Sequence, residues 1–95
     1  SDVYKRQMPE CGNIDEASKV LYTYYVKDHY YSITDRLSRV PSKLALIEVL
    51  YDALRGIRDD EDKRAFSSFI SNIENLKDSD AIYCAKLLAL KAFRW

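Results

Sequence analysis

The sequence predicts an all-α fold, a small bundle of about four helices with short connections that are broadly antiparallel. Only two Gly and two Pro occur in 95 residues, and such scarcity favours long helices over many short strands. Apolar residues recur at spacings of three and four rather than two, which is the helical period. A hydrophobic content of 47% beside 32% charged residues is typical of a globular chain.

Residues 1–7 are predicted not to belong to the domain. The segment Asp2–Gln7 back-translates to GAT-GTG-TAT-AAG-AGA-CAG, which resembles the transposon end ligated onto fragments in sequencing libraries. We therefore expect residues 1–7 to be a disordered adapter remnant, excluded from fold reasoning, and residues 8–95 to form one helical domain. A remnant of this kind leaves open whether the natural chain begins at Met8 and whether it continues beyond Trp95.

The first predicted helix runs from Ile14 to Leu37 and carries two apolar stripes. Asn13 is its predicted N-cap, with Glu16 at the spacing of a capping box. The stripes point about 100° apart around the helix. The earlier one comprises Ile14, Ala17, Leu21 and Tyr25, and the later one comprises Tyr22, Val26, Tyr30, Ile33 and Leu37. We expect either a bend near Tyr25 or a helix covered over a wide arc.

The second and third predicted helices have clear boundaries. Ser42 is expected to cap a helix over residues 43–55, with Gly56 ending it in left-handed geometry. Apolar residues surround most of this helix, which predicts a central position. Asp59 or Asp60 is expected to cap the next helix, an amphipathic surface helix whose apolar face is Phe66, Phe69, Ile70, Ile73 and Leu76.

The fourth predicted helix runs from Asp80 to the end, capped by Asp78 or Ser79. It has little polar surface beyond Lys86, Lys91 and Arg94, whereas a terminal helix of a monomer normally shows water one polar face. We expect one of two arrangements. Either this helix is the central strut of the fold, or its outer face packs on a second subunit or on sequence beyond Trp95.

Catalytic and metal-binding patterns are missing from the sequence. His29 is the only histidine, its neighbour Asp28 points about 100° away on a helix, and we expect a partly buried histidine on the later stripe. A contact with Cys84 through the fold stays open. The cluster Asp59–Asp62 lacks the alternating ligands of a calcium loop and is expected to be a capped helix start. We therefore predict no enzyme activity, no metal site and no cofactor.

Cys11 and Cys84 are the only cysteines, and they lie far apart. Two cysteines can form one disulfide, but the chain does not resemble a secreted disulfide framework. No run of residues approaches the roughly 20 apolar residues of a membrane span. The sequence thus favours reduced cysteines, a cytoplasmic setting and no membrane partner.

Nucleic-acid binding is the first alternative function. Arg36, Arg39 and Lys43 cluster at the predicted turn between the first two helices, where a helix-turn-helix unit places cations. However, 15 basic residues balance 15 acidic ones. Without Asp2, Lys5 and Arg6, 13 basic and 14 acidic residues remain, so no overall positive field attracts a phosphate backbone.

The tyrosines favour a different function. Five of them lie within residues 22–31, and tyrosine is enriched in protein contact surfaces because it joins an apolar body to a polar tip. The interface candidates are Val20, Tyr24, Tyr31, Leu87, Phe93 and Trp95. We predict a non-enzymatic interaction or oligomerisation module whose partner is a second copy or another protein. A helical fragment of a larger enzyme is the remaining alternative.

Overall fold

Residues 9–95, the part of the chain that the computed structural model describes, contain five α-helices and no strand. The all-α prediction is therefore confirmed, with one helix more than expected. The helices are α1 (Ile14–Tyr24), α2 (Ser32–Ser38), α3 (Lys43–Arg55), α4 (Asp60–Glu74) and α5 (Asp78–Phe93). The connections that follow α2, α3 and α4 are three or four residues long. The predicted adapter remnant, residues 1–7, lies outside the described residues.

The predicted helix over residues 14–37 is two helices, α1 and α2, separated by a break. Its backbone leaves α-geometry at Tyr25, makes a 3-10 turn over Val26–Asp28 and enters the left-handed region at His29, with φ 67°. The break falls between the two apolar stripes, which lie on different sides of the predicted helix. One straight helix could not bury both stripes in the same core, and the break lets α1 and α2 each bury one. The interpretation of His29 as a half-buried helix residue is wrong, since it is exposed.

Small side chains place α5 at the centre of the fold. Its inner face consists of Ala81, Cys84, Ala85, Leu88, Ala89 and Ala92, all buried. Side chains of this size let neighbouring backbones approach closely, and α5 contacts all four other α-helices, most extensively α1 and α2. The expectation of a central strut therefore describes α5, although the rest of its circumference stays open to solvent.

The two helices α3 and α4 pack against each other. The amphipathic character predicted for α4 is confirmed, because Phe66, Phe69, Ile70 and Ile73 face the core, whereas Leu76 lies beyond the end of the helix and is half-buried against the core. In α3 the buried residues are Leu46, Val49, Leu50 and Ala53. The predicted central position of α3 is observed in part, because it packs against α2, α4 and α5 but Leu44 at its start is 81% exposed.

Two of the predicted helix caps are confirmed, Asn13 is an N-cap by position alone, and the cap predicted for the last helix is wrong. The Ser42 hydroxyl accepts a hydrogen bond from the backbone N–H of residue 45 at 3.2 Å, and the Asp59 carboxylate accepts one from the N–H of Asp62 at 3.1 Å. Asn13 makes no such bond. α5 begins at residue 78 itself, and the Asp78 carboxylate instead accepts a hydrogen bond from the N–H of Lys43, at 3.3 Å.

Gly56 ends α3, but not in the left-handed geometry that the sequence predicts, since its φ is −88°. Glycine is needed here because a Cβ would collide with the Tyr25 hydroxyl. That hydroxyl donates a hydrogen bond of 2.6 Å to the carbonyl of Ala53. Burial raises the pKa of the Tyr25 hydroxyl above its ordinary value, and the nearby Asp52 carboxylate acts in the same direction.

A disulfide joins Cys11, in the loop before α1, to Cys84 on the inner face of α5. Both cysteines are buried, so the expectation of reduced cysteines is wrong. The bond joins residues 73 positions apart in the sequence. Because disulfides persist in oxidising compartments, the bond argues against the cytoplasmic setting that the sequence favoured. None of the helices in the described part of the chain has the length and apolarity that crossing a bilayer requires.

Candidate functional site

The outer side of α5 carries large apolar side chains that the fold leaves in contact with solvent. Leu90 is 51% exposed, Phe93 59% and Trp95 54%, which is unusual for the central helix of a small domain. We name this surface the α5 outer face. It consists of Tyr83, Lys86, Leu87, Leu90, Phe93, Arg94 and Trp95, together with Tyr31, the residue that precedes α2.

A first open hollow, of about 480 Å³, lies between α1 and α5. Leu87 and Leu90 supply its apolar wall, and Trp95 closes one side. The indole N–H of Trp95 donates a hydrogen bond of 2.8 Å to the Ser18 hydroxyl, which itself donates to the carbonyl of Asp15 at 2.7 Å. The Trp95 ring is therefore held in position while more than half of its surface stays available for contact.

A second hollow, of about 540 Å³, lies on the other side of Leu90, between α2 and α5. Tyr31 and Phe93 form its aromatic wall, with ring centroids 5.6 Å apart. The Tyr31 hydroxyl is hydrogen-bonded to Nδ1 of His29 at 2.9 Å. Leu90 lines both hollows, so the two depressions form one surface with Leu90 as the ridge between them.

Positive charges border this surface. Residues 81–95 contain Lys86, Lys91, Arg94 and no acidic residue. Lys91 forms a 2.9 Å ion pair with Asp15 of α1. Lys86 and Arg94 belong to none of the ion pairs formed within residues 9–95. The α5 outer face is therefore apolar at its centre and positively charged at its edges.

The structure brings four of the six predicted interface residues together on this surface. Tyr31, Phe93 and Trp95 are exposed, and Leu87 is half-buried in the wall of the first hollow. The expected exposure of Val20 is wrong, since it is 3% exposed. The reason is that α1 is covered by α5 on one side and by α4 on another.

Tyr24, the sixth candidate, contributes to the packing of α1 on α4 rather than to an outward surface. Its hydroxyl donates a hydrogen bond to the Asp62 carboxylate at 2.9 Å and accepts one from the backbone N–H of Asp59 at 3.2 Å. The ring is half-buried. Both polar partners lie in the first turn of α4 or its cap, so Tyr24 extends the capping of that helix.

Sequence reasoning missed four residues of the α5 outer face: Tyr83, Lys86, Leu90 and Arg94. The signal was present, because Tyr83, Leu87, Leu90 and Arg94 follow one another at steps of four, three and four, which places them on one side of a helix. The uniform apolarity of the helix hid this stripe. Apolar residues occur on both its inner and outer sides, and those on the inner side are mostly smaller.

The cations proposed for nucleic-acid binding are engaged within the chain. Arg36 forms a 2.8 Å ion pair with Asp52, and Arg39 pairs with Asp35 at 3.2 Å. The Lys43 ammonium donates hydrogen bonds to the backbone carbonyls of residues 74 and 76, at 3.0 and 2.7 Å. Lys43 therefore satisfies carbonyls at the end of α4, where a cation also complements the helix dipole.

The groups tested for chemistry stay separate. Cys84 is bonded to Cys11, so it offers His29 no thiol. His29 is exposed, and its side chain is hydrogen-bonded to the Tyr31 hydroxyl. Among residues 9–95, no group of three or more His, Cys, Asp or Glu side chains is arranged to hold a metal ion.

Known proteins give no indication of the function of this chain. No protein-family profile, no curated protein and no solved structure matches the chain. Its function must therefore be inferred from the surface just described.

Proposed function

We propose that this chain is a non-enzymatic helical interaction module that presents the α5 outer face to another protein or to a second copy of itself. The observation that carries the proposal is the pair of hollows that share Leu90. Contiguous apolar patches are uncommon on monomeric proteins and mark binding sites when they occur, whereas apolar residues scattered singly need no explanation.

The side chains on this surface support a contact role. Tyrosine, tryptophan and arginine are the residues that most often dominate binding energy, and Tyr31, Arg94 and Trp95 border the two hollows. Hydrogen bonds hold the Trp95 indole and the Tyr31 hydroxyl in place before any partner arrives. Such preorganisation reduces the conformational entropy that is lost on binding.

The shape of the surface suits a helical partner. An apolar ridge at Leu90 between two depressions can accept side chains spaced one helical turn apart, as in other complexes of an amphipathic helix with a groove. Each depression has a wall from α5 and a wall from a second helix, α1 or α2. Most of the lining residues thus lie on packed helices, and Tyr31, Arg94 and Trp95 lie just beyond helix ends.

The test compares Leu90→Ser with Leu44→Ser. Leu44 is 81% exposed on α3 and lines neither hollow, so it controls for the loss of an exposed leucine. Self-association is measured by sedimentation equilibrium, and hetero-association by fluorescence anisotropy with labelled amphipathic helical peptides. We expect self-association or peptide binding in the wild type, at least about tenfold weaker in Leu90→Ser and unchanged in Leu44→Ser.

Two results would contradict the proposal. One is a wild type that stays monomeric and binds none of the peptides at millimolar concentration. The other is binding that responds equally to both substitutions, because that behaviour indicates adhesion through any exposed apolar residue. Circular dichroism of each variant shows whether its helices are intact.

A further inference from the structure

We infer that the partner of the α5 outer face is an amphipathic helix whose apolar stripe is flanked by acidic residues. This inference rests on the proposed function and adds the chemistry of the partner. It follows from the charges around the two hollows, from the repulsion expected between two symmetric copies of the chain, and from the two depressions beside Leu90.

The uncompensated cations lie at both hollows. Arg94 borders the hollow between α1 and α5, and Lys86 borders the hollow between α2 and α5. Both side chains are exposed. A partner that fills the hollows with apolar side chains would therefore place its flanking residues beside these two cations. Complementary charge at such positions guides association and excludes partners of like charge.

The acidic residues near the hollows do not neutralise these cations. Asp15 borders the first hollow, where it is paired with Lys91. Asp35 borders the second, where it is paired with Arg39. The net charge that the surface presents to a partner is therefore positive on both sides of Leu90.

A second copy of this chain fits the surface poorly. Two copies related by a two-fold axis bury the same patch on both subunits. If their α5 helices cross in antiparallel orientation at Leu90, a residue four positions before Leu90 faces one four positions after it. Lys86 of one copy would then lie opposite Arg94 of the other, and like charges in an interface are unfavourable. An acidic partner avoids this repulsion.

The two depressions beside the Leu90 ridge favour a protein helix over an anionic membrane surface. Interfacial helices insert a protruding apolar side into lipid, whereas here Leu87, Tyr31 and Phe93 form the walls of depressions. The indole N–H of Trp95 is also occupied, since it donates to the Ser18 hydroxyl. These features describe a groove that receives side chains.

The experiment uses two synthetic peptides of about five helical turns. They share the same leucine positions and carry only glutamate or only lysine at the flanking positions. The protein is tested as the wild type, as the double variant Lys86→Glu with Arg94→Glu, and as the control Lys63→Glu with Arg64→Glu. The control reverses two exposed cations on α4 that lie outside both hollows.

We expect the wild type to bind the glutamate peptide about tenfold more tightly than the lysine peptide. The preference should shrink at high salt because exposed charges are screened. Lys86→Glu with Arg94→Glu should reverse the preference, and the α4 control should keep it.

Four outcomes would overturn the inference. Equal binding of both peptides that still depends on Leu90 would reject an acidic partner and leave the proposed function standing. Self-association that Leu90→Ser abolishes would identify a second copy as the occupant. Binding to vesicles containing phosphatidylserine, without binding to either peptide, would identify a lipid surface. Failure of peptides, vesicles and self-association together would reject the proposed function itself.

Discussion

The two sides of α5 differ in a way that is unusual for a helix at the centre of a small domain. Its inner face is built from four alanines, Cys84 and Leu88, all buried. Its outer face carries larger apolar residues, including Leu90 and Phe93, more than half exposed. A helix that served folding alone would bury its large side chains and expose polar ones. In this helix the size of the apolar residues, and not only their presence, distinguishes the packed side from the exposed side.

This comparison divides the molecule into groups that stabilise it and groups that are available to a partner. Changes on the inner side should lower the free energy of unfolding and leave peptide binding intact while the protein stays folded. Changes on the outer side should weaken peptide binding and leave the free energy of unfolding nearly unchanged. Each prediction below tests one side of this division.

The largest expected effect is the loss of the Cys11–Cys84 disulfide. Reduction, or the double substitution Cys11→Ala with Cys84→Ala, should lower the free energy of unfolding by about 4 kcal/mol, because the bond closes a loop of 73 residues. Urea unfolding of the oxidised and reduced protein measures this difference. A change below about 1 kcal/mol would show that the bond contributes little beyond the packing around it.

The second largest effect is expected for Leu88→Ala, which should lower the free energy of unfolding by about 3 kcal/mol. Leu88 is fully buried, and its truncation leaves a cavity. Leu90→Ala is the matched change on the other side of the same helix. It should cost less than about 1 kcal/mol, since an exposed side chain leaves no cavity. Chemical denaturation of both variants measures the contrast. Equal losses would mean that α5 has no distinct outer face.

Tyr25→Phe should have a smaller effect and lower the free energy of unfolding by about 1–2 kcal/mol. The substitution removes the hydroxyl that donates to the carbonyl of Ala53, and that carbonyl keeps only its backbone hydrogen bond from the N–H of Gly56, at 3.1 Å. Tyr51→Phe, on an exposed ring of α3, should change the free energy of unfolding much less. If the two variants were equally stable, the Tyr25 hydrogen bond would contribute nothing measurable.

The smallest effect is a change of stability at high pH. Because the pKa of Tyr25 is higher in the folded protein than its ordinary value of about 10, folding favours the neutral hydroxyl. The stabilisation is therefore fully present below pH 10 and is lost as the pH rises above 10 through the folded pKa. The difference in free energy of unfolding between wild type and Tyr25→Phe should shrink over this range. A difference that stayed constant would reject the raised pKa.

The sequence predicts those features that depend on neighbouring residues. The all-α fold follows from apolar spacing, and the caps at Ser42 and Asp59 follow from side chains that reach N–H groups three residues away. The change of stripe near Tyr25 indicated either a bend or a helix covered over a wide arc, and the structure has a full break there. These features need no knowledge of how the helices pack.

Other features depend on contacts between distant segments and could not be read from local patterns. Cys11 and Cys84 meet across 73 positions, and Lys43 reaches carbonyls more than 30 residues away. Val20 is buried because α1 has neighbours on two sides. For the candidate site, the sequence found the aromatic residues but not the ridge at Leu90, since exposure on an apolar helix is decided by which neighbours cover it.

The most direct test of the division between the two sides of α5 is a map of amide chemical shifts on addition of the glutamate peptide. We predict that the shifted amides cluster at Tyr31, along the outer positions of residues 83–94 and at Trp95, with small changes in α4. Shifts spread evenly over the domain, or centred on α3 around Leu44, would contradict the assignment of the α5 outer face as the binding surface.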